Sequence, residues 1–154
     1  MIRKMILMSI KPEYMHEILE GDKQIELRRT KPRVSEGDLV VFYVSSPQKM
    51  IRGAASVKRV IEGTPSQIWE TYSDSIGIAK QNYDEYFSGA KKAFGIMLDT
   101  IWAYANPIGL QEMRGILVNF SPPRSYRYLS SEERKIVENL ERESSLTKNK
   151  APHK

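Results

Sequence analysis

The chain has 154 residues, enough for one domain with a core of its own and a short appendage. It contains no cysteine, which excludes a disulfide framework, a zinc–thiolate site and a thiol nucleophile, and no apolar run approaches the roughly 20 residues of a membrane span. The formal charge is +5, and all of the excess lies in residues 1–60, with 12 Lys or Arg against 7 Asp or Glu, while residues 61–154 balance at 12 and 12. A basic patch of this kind points to an anionic partner, of which nucleic acid is the commonest.

Along the chain, Met1–Met8 sets basic residues before an apolar run too short for a signal-peptide core, so Met5–Ile10 reads as a buried strand. Lys11-Pro12 opens a helix, with proline in the first turn, where its missing N–H costs nothing. Tyr14, Met15, Ile18 and Leu19 form its apolar stripe. Glu13, Glu17 and Glu20 form its wet face, with His16 as a surface residue among them. Gly21 is a natural C-terminal cap.

A short strand follows within Gly21–Arg29. Alternation puts Ile25 and Leu27 on one side and Gln24, Glu26 and Arg28 on the other. Glu26 and Arg28 then stand roughly 6.5–7 Å apart at the backbone. That spacing serves a weakly interacting surface pair as well as two groups reaching one polar ligand.

Thr30–Asp38 reads as a loop and Leu39–Val44 as a strand covered on both faces. Ser45–Lys49 is a polar loop. Met50–Glu62 is another strand, with Gly53-Ala54-Ala55 allowing a bend or a close backbone contact. Thr64 caps a short helix through Tyr72, and a second short helix is expected over Tyr83–Phe87. Lys92–Tyr104 is a long, bent strand that Asn106-Pro107-Ile108 breaks, with a helical turn at Leu110–Arg114. Arg124–Tyr128 is a last strand. Ser130 and Glu133 form a capping box for a helix to about Glu143, striped by Ile136, Val137 and Leu140. Thr147–Lys154 reads as a frayed, flexible tail. The expected organisation is a barrel domain over 1–129, a C-terminal helix over 130–146 packed on it, and the tail over 147–154.

Five to six short strands with brief helices between them argue for an α+β domain built on a small closed or partly closed barrel. Ser9-Ile10-Lys11-Pro12, then Gly21-x-Lys23-x-x-Glu26-x-Arg28, then Phe42-Tyr43-Val44-Ser45-Ser46-Pro47 and Ile51-x-Gly53 occur in that order. Weaker echoes follow at Asn106-Pro107-Ile108 and Pro122-Pro123-Arg124-Ser125-Tyr126. On these residues the chain resembles the ASCH domain family, whose fold is similar to the PUA domain. The resemblance covers roughly residues 5–128. It implies a PUA-like mixed barrel with a cleft lined by the Gly-Lys-Glu-Arg motif. It also implies binding of RNA or modified nucleotides, linked to translation or its regulation. One branch of the family is an amidohydrolase that removes acetyl from the exocyclic amine of cytidine with a Lys, a Thr and a Glu. Its Lys falls on Lys23, but its Thr falls on Glu26, which is no hydroxyl nucleophile.

The residues expected to bind RNA are Lys11, Lys23, Glu26, Arg28, Arg29, Tyr43, Ser45 and Ser46. Lys23, Arg28 and Arg29 supply charge-assisted donors to phosphate. Glu26 accepts from an exocyclic amine, Tyr43 offers a stacking face, and Ser45 and Ser46 add hydroxyls or backbone amides. Each has a plainer reading: Lys23 as a turn residue, Arg29 at a barrel rim with the parity of Ile25 and Leu27, and Tyr43 in the core with the parity of Leu39 and Val41. As an enzyme the chain would rely on Lys23 and Glu26, yet Glu26 beside Lys23 would hold the amine protonated and oppose its use as a base. Neither His16 nor His153 has triad or metal spacing, and no metal or cofactor is expected. Trp69, Tyr72, Tyr83, Tyr86 and Phe87 read as core lining, and the final helix alternatively packs on a partner or a second copy. The expectation is a cytoplasmic RNA- or nucleotide-binding module with a basic cleft, with the amidohydrolase and a protein-interaction module, including a homodimer, as alternatives.

Overall fold

The computed structural model describes residues 3–144 and the backbone of 148–150. Its elements are β1 (Met5–Ile10), α1 (Pro12–Glu20), β2 (Ile25–Arg28), β3 (Leu39–Val44), β4 (Met50–Gly63), α2 (Pro65–Ile76), α3 (Lys80–Tyr86), β5 (Ala93–Gly109), α4 (Leu110–Ile116), β6 (Tyr126–Tyr128), α5 (Ser131–Glu143) and β7 (Lys148–Lys150). The strands form one curled, mixed sheet in the order β2-β5-β4-β3-β1-β6, with β7 added on β5. The β1–β3 pair is parallel and the other pairs are antiparallel. This is the α+β, PUA-like half-barrel that the resemblance implies.

Three apolar clusters hold it together. Even-numbered residues of β1 and β3 (Ile6, Met8, Val40, Phe42, Val44) fill the inside of the curl, where α1 plugs it with Met15 and Ile18. Odd-numbered residues of the same strands (Leu7, Leu39, Val41, Tyr43) face outward and are covered by Met113 of α4 and by Val137 and Leu140 of α5. Ile25 and Leu27 of β2 face a third cluster under α2 and α3, where the Trp69 and Tyr83 rings lie 4.9 Å apart and Tyr83 and Phe87 4.8 Å. The period of two in the strands thus sends alternate residues into different cores. The stripe of α5 is consumed by the domain's own sheet, so that stripe is not left open to a partner.

Several boundaries differ from the sequence expectation. Helix α2 runs on to Ile76 and stops at Gly77, whose φ of 72° is left-handed. Helix α3 begins at Lys80, three residues early. Strand β5 passes through Asn106-Pro107 to Gly109 and does not break there. On its partner β4, Ile51 faces Ile108 while Gly53 faces Ala103, so Pro107 lies where the register slips and no ladder N–H is missed. Part of the expected tail, Lys148–Lys150, pairs with Trp102–Thr100 of β5; its residues 147 and 151–154 lie outside the described residues.

Candidate functional site: a hollow at the end of the first strand

Helix α1 ends on Gly21 with φ 89°, a left-handed turn that glycine adopts without Cβ strain. The N–H groups of Asp22 and Lys23 then donate back to the Glu17 carbonyl at 2.9 and 3.1 Å, and Gln24 N–H donates to Ser75 O of α2 at 2.8 Å. These bonds turn the Lys23 side chain inward. Its Nζ donates to Ile76 O at 2.9 Å, at the C-terminal end of α2, where free carbonyls and the helix dipole favour a cation. A Cβ on Gly77 would stand 2.7 Å from Lys23 Cβ, so glycine there permits the approach. Lys23 is only 2% exposed, and its Nζ lies 5.4 Å from the centre of the Tyr14 ring.

Strand β2 places Glu26 and Arg28 on the inner side of the curl. Arg28 Nη2 pairs with Glu26 Oε2 at 3.1 Å, and Lys23 Nζ stands 3.9 Å from Glu26 Oε1. One carboxylate thus bridges two cations. Arg28 Nη1 also donates to Ser125 Oγ at 2.8 Å, on the segment leading into β6. Burial pulls the Lys23 ammonium below its ordinary value, and Glu26 and Glu17 push the other way without overcoming it. Glu26 thus favours the charged amine, as expected, while desolvation is the larger, opposing effect.

These groups open on a hollow of about 760 Å³ at the C-terminal end of β1, a volume in the range of small-molecule ligand sites. Ser9, Lys11 and Tyr14 form one wall; Asn82, Glu85 and Tyr86 of α3 form another; Arg124 and Ser45 stand at the rim. The segment around α3 therefore lines the cleft. Lys11, Lys23, Arg28 and Arg124 are set against Glu13, Glu26 and Glu85. The lining is thus nearly balanced, with four cationic side chains against three acidic ones.

Of the eight expected residues, Lys11, Lys23, Glu26, Arg28 and Ser45 line this hollow. Tyr43 does not: it is 5% exposed in the outer core beside Leu39 and Val41, as its parity dictates, and offers no face to a base. Arg29 points to the outer side with Leu27, where its Nη1 donates to Tyr86 O at 2.6 Å and Ser88 O at 3.1 Å and ties down the end of α3. Ser46 is exposed outside the hollow. His16 is exposed on α1. Among the described residues no three His, Asp or Glu side chains gather as a metal site, and no helix is long and apolar enough to cross a membrane.

Sequence reasoning missed Tyr86. The sequence groups it with the core aromatics, yet it is 39% exposed, leans edge-on against Phe87 at 4.8 Å and donates from Oη to Leu27 O at 3.3 Å. Burial of its hydroxyl raises its pKa. With Tyr14 on the facing wall, it gives the hollow an aromatic lining. The only signal for it was position on α3: Tyr83 and Phe87, four apart, share the apolar face that Tyr86 leaves. Ser125 lay in a weak family echo and received no role.

Residues 4–119 match the family described as "Domain of unknown function (DUF365)". The chain is 30% identical over 131 residues to an ASCH domain-containing ribonuclease of Zymomonas mobilis, covering 85% of this chain and 88% of that protein. The crystal structure of ASCH from Zymomonas mobilis superposes with a TM-score of 0.83 at 29% identity, covering 90% of this chain and 96% of that one. A stretch of 108 residues is 31% identical to the large ribosomal subunit protein uL22 of Ureaplasma parvum, covering 70% of this chain but 34% of that protein. Matched along most of its length and in its tertiary structure, the chain belongs to the DUF365 family and is an ASCH domain protein.

Proposed function

We propose that this protein binds single-stranded RNA and receives one unpaired nucleotide in the hollow. The observation that carries the reading is the convergence of Lys23, Glu26 and Arg28 on one concavity walled by Tyr86. Tyr86 stacks on the base, a contact available to any base and suited to an unpaired strand. Glu85 and Glu26 accept from an exocyclic amine, and Lys11 and Arg124 meet the flanking phosphates. The relative named as a ribonuclease, and the match within a protein named for the large ribosomal subunit, support a setting in which RNA is at hand. A filter-binding titration with single-stranded and structured RNA at two salt concentrations tests it. Tighter binding of the single strand, weakening with salt, is expected; uniformly negligible affinity would remove the reading.

A second reading, RNA cleavage, is favoured by the relative's name and by the lowered pKa of buried Lys23. In it, neutral Lys23 takes the proton of a ribose 2′-hydroxyl. The oxygen attacks the adjacent phosphorus, the bond to the 5′-oxygen breaks, and that oxygen leaves with the proton returned by the Lys23 ammonium. The products are a 2′,3′-cyclic phosphate and a free 5′-hydroxyl. Arg28 stabilises the charge on the phosphorane oxygens. Incubation of end-labelled RNA, with chemical assignment of the new termini, checks this. Lys23→Ala is expected to stop cleavage while binding persists. Release of acetate from acetylated cytidine would instead establish the amidohydrolase.

A further inference from the structure

The excess positive charge of residues 1–60 has its place at the other end of β1. There a second, shallower groove of about 390 Å³ is lined by Lys4 and residues 31–35, with three cationic side chains and no acidic one. Six strand residues separate Lys4 from Lys11, so the groove and the hollow stand about 20 Å apart.

The strip between them is β6. At the hollow end, Ser9 N–H donates to Ser125 O at 3.0 Å, and at the groove end Leu129 N–H donates to Met5 O at 3.0 Å. Two tyrosines of β6 clip the groove's backbone in place: Arg33 N–H donates to Tyr126 Oη at 3.2 Å, and Tyr128 Oη donates to Arg33 O at 3.1 Å. Asp38, 5% exposed, accepts from Lys4 N–H and Ser35 N–H at 2.9 Å each, so its carboxylate is consumed in holding the groove's shape. The groove is thus built at its backbone while its cationic ends stay free. Among the described residues neither Lys4 nor Arg33 has a side-chain ion pair, and Lys31 has only a 3.9 Å, exposed one with Glu62. The Tyr128 ring, 45% exposed, faces solvent along the strip.

We propose that this groove is a second RNA site, taking the phosphates of the same strand whose base occupies the hollow. The strand crosses the β6 edge past Tyr128. The inference rests on the reading of the hollow as an RNA site and divides the work: the balanced hollow recognises a base, and the groove supplies the salt-sensitive affinity. Neutralising a phosphate on a single strand contributes about 0.7 to the slope of log K against log salt.

The test uses the full chain with an oligocytidylate hexanucleotide, long enough to bridge both sites, and the dinucleotide CpC, confined to one. Anisotropy titrations are run at several salt concentrations. The double variant Lys4→Ala/Arg33→Ala is expected to bind the hexanucleotide with a slope shallower by about 1.4 and to bind CpC as the wild type does. If that variant loses its folded baseline, Arg33→Gln alone keeps both backbone clips and carries an expected change of about 0.7. An unchanged hexanucleotide slope in a variant that still binds overturns the groove and leaves the hollow standing. Equal loss of CpC and hexanucleotide binding overturns the division of labour. No binding of either oligonucleotide by the wild type overturns the hollow and the groove together.

Discussion

Arg28 and Ser125 join the two edges of the sheet. Strands β2 and β6 end the strand order and share no backbone ladder; the Arg28 guanidinium, 2.8 Å from Ser125 Oγ, crosses the gap. The same guanidinium pairs with Glu26 at 3.1 Å and has a side chain only 13% exposed, while its Nε is buried without a partner among the described residues. The seam of the half-barrel and the floor of the hollow are therefore the same group of side chains.

Arg28→Ala leaves Glu26 buried with only the distant Lys23. It is expected to destabilise the fold by about 3 kcal/mol. Ser125→Ala removes one bond and leaves the ion pair, at a cost of about 1 kcal/mol. Urea unfolding of the two variants gives the ranking; a Ser125→Ala loss equal to that of Arg28→Ala would show that the ion pair contributes nothing beyond the seam.

Lys23 makes stability depend on pH in an unusual direction. Burial lowers its pKa in the folded state below the ordinary 10.5. Between the lowered value and 10.5 the unfolded chain binds more protons than the folded one, so this residue's contribution to stability rises with pH through that window. Below the window the cost of burying the charge is fully present. The difference in unfolding free energy between the wild type and Lys23→Met, measured at intervals up to pH 10.5, is expected to shift in favour of the wild type as pH rises. A difference that stays flat contradicts the lowered pKa.

Tyr86 and Tyr43 exchange the roles that the order of residues suggests. Tyr86→Ala is expected to weaken single-stranded RNA binding by about 1–3 kcal/mol, the usual worth of a base–aromatic stack. Tyr43→Phe, in the outer core, is expected to leave RNA affinity unchanged. The same titration that tests the hollow decides both, and equal effects would place the stacking platform elsewhere.

Glu133 anchors the last helix to β6. Burial pushes its pKa up, but two Arg127 contacts at 2.8 Å each and the Ser130 N–H bond outweigh it, so the net shift is downward from 4.5. A carboxyl with a lowered folded-state pKa contributes stability above 4.5 that is lost as pH falls through the folded value. Glu133→Gln is expected to cost about 2 kcal/mol at neutral pH and less in acid. Thermal melts at neutral and acid pH check the convergence; a constant gap at both would contradict the sign.

Much of the site was legible because its signals are local. Proline at the start of α1 and glycine at its end fixed the helix, and with it the turn that delivers Lys23. Alternation in β2 put Glu26 and Arg28 on one side, and alternation in β3 already offered Tyr43 to the core. The capping box at Ser130 and Glu133 marked α5 to the residue. Pro107 misled because a proline's effect in a strand depends on the partner's register, which no local pattern carries. Tyr86 misled because an aromatic's burial depends on which helix face the sheet covers.

The sequence by itself determined the periodic elements, the motif between α1 and β2, and the basic excess of the first sixty residues, since each depends on neighbours a few positions apart. Only the tertiary structure decided which charges meet. It set Lys23 against the end of a helix more than fifty residues away, brought Ser125 to Arg28 across an unpaired edge, and gathered Lys4 and Arg33 at the far end of β1 from the hollow. Those outcomes follow from curling the sheet until its first and last edges face each other, and long-range geometry of that kind has no signature in the order of residues.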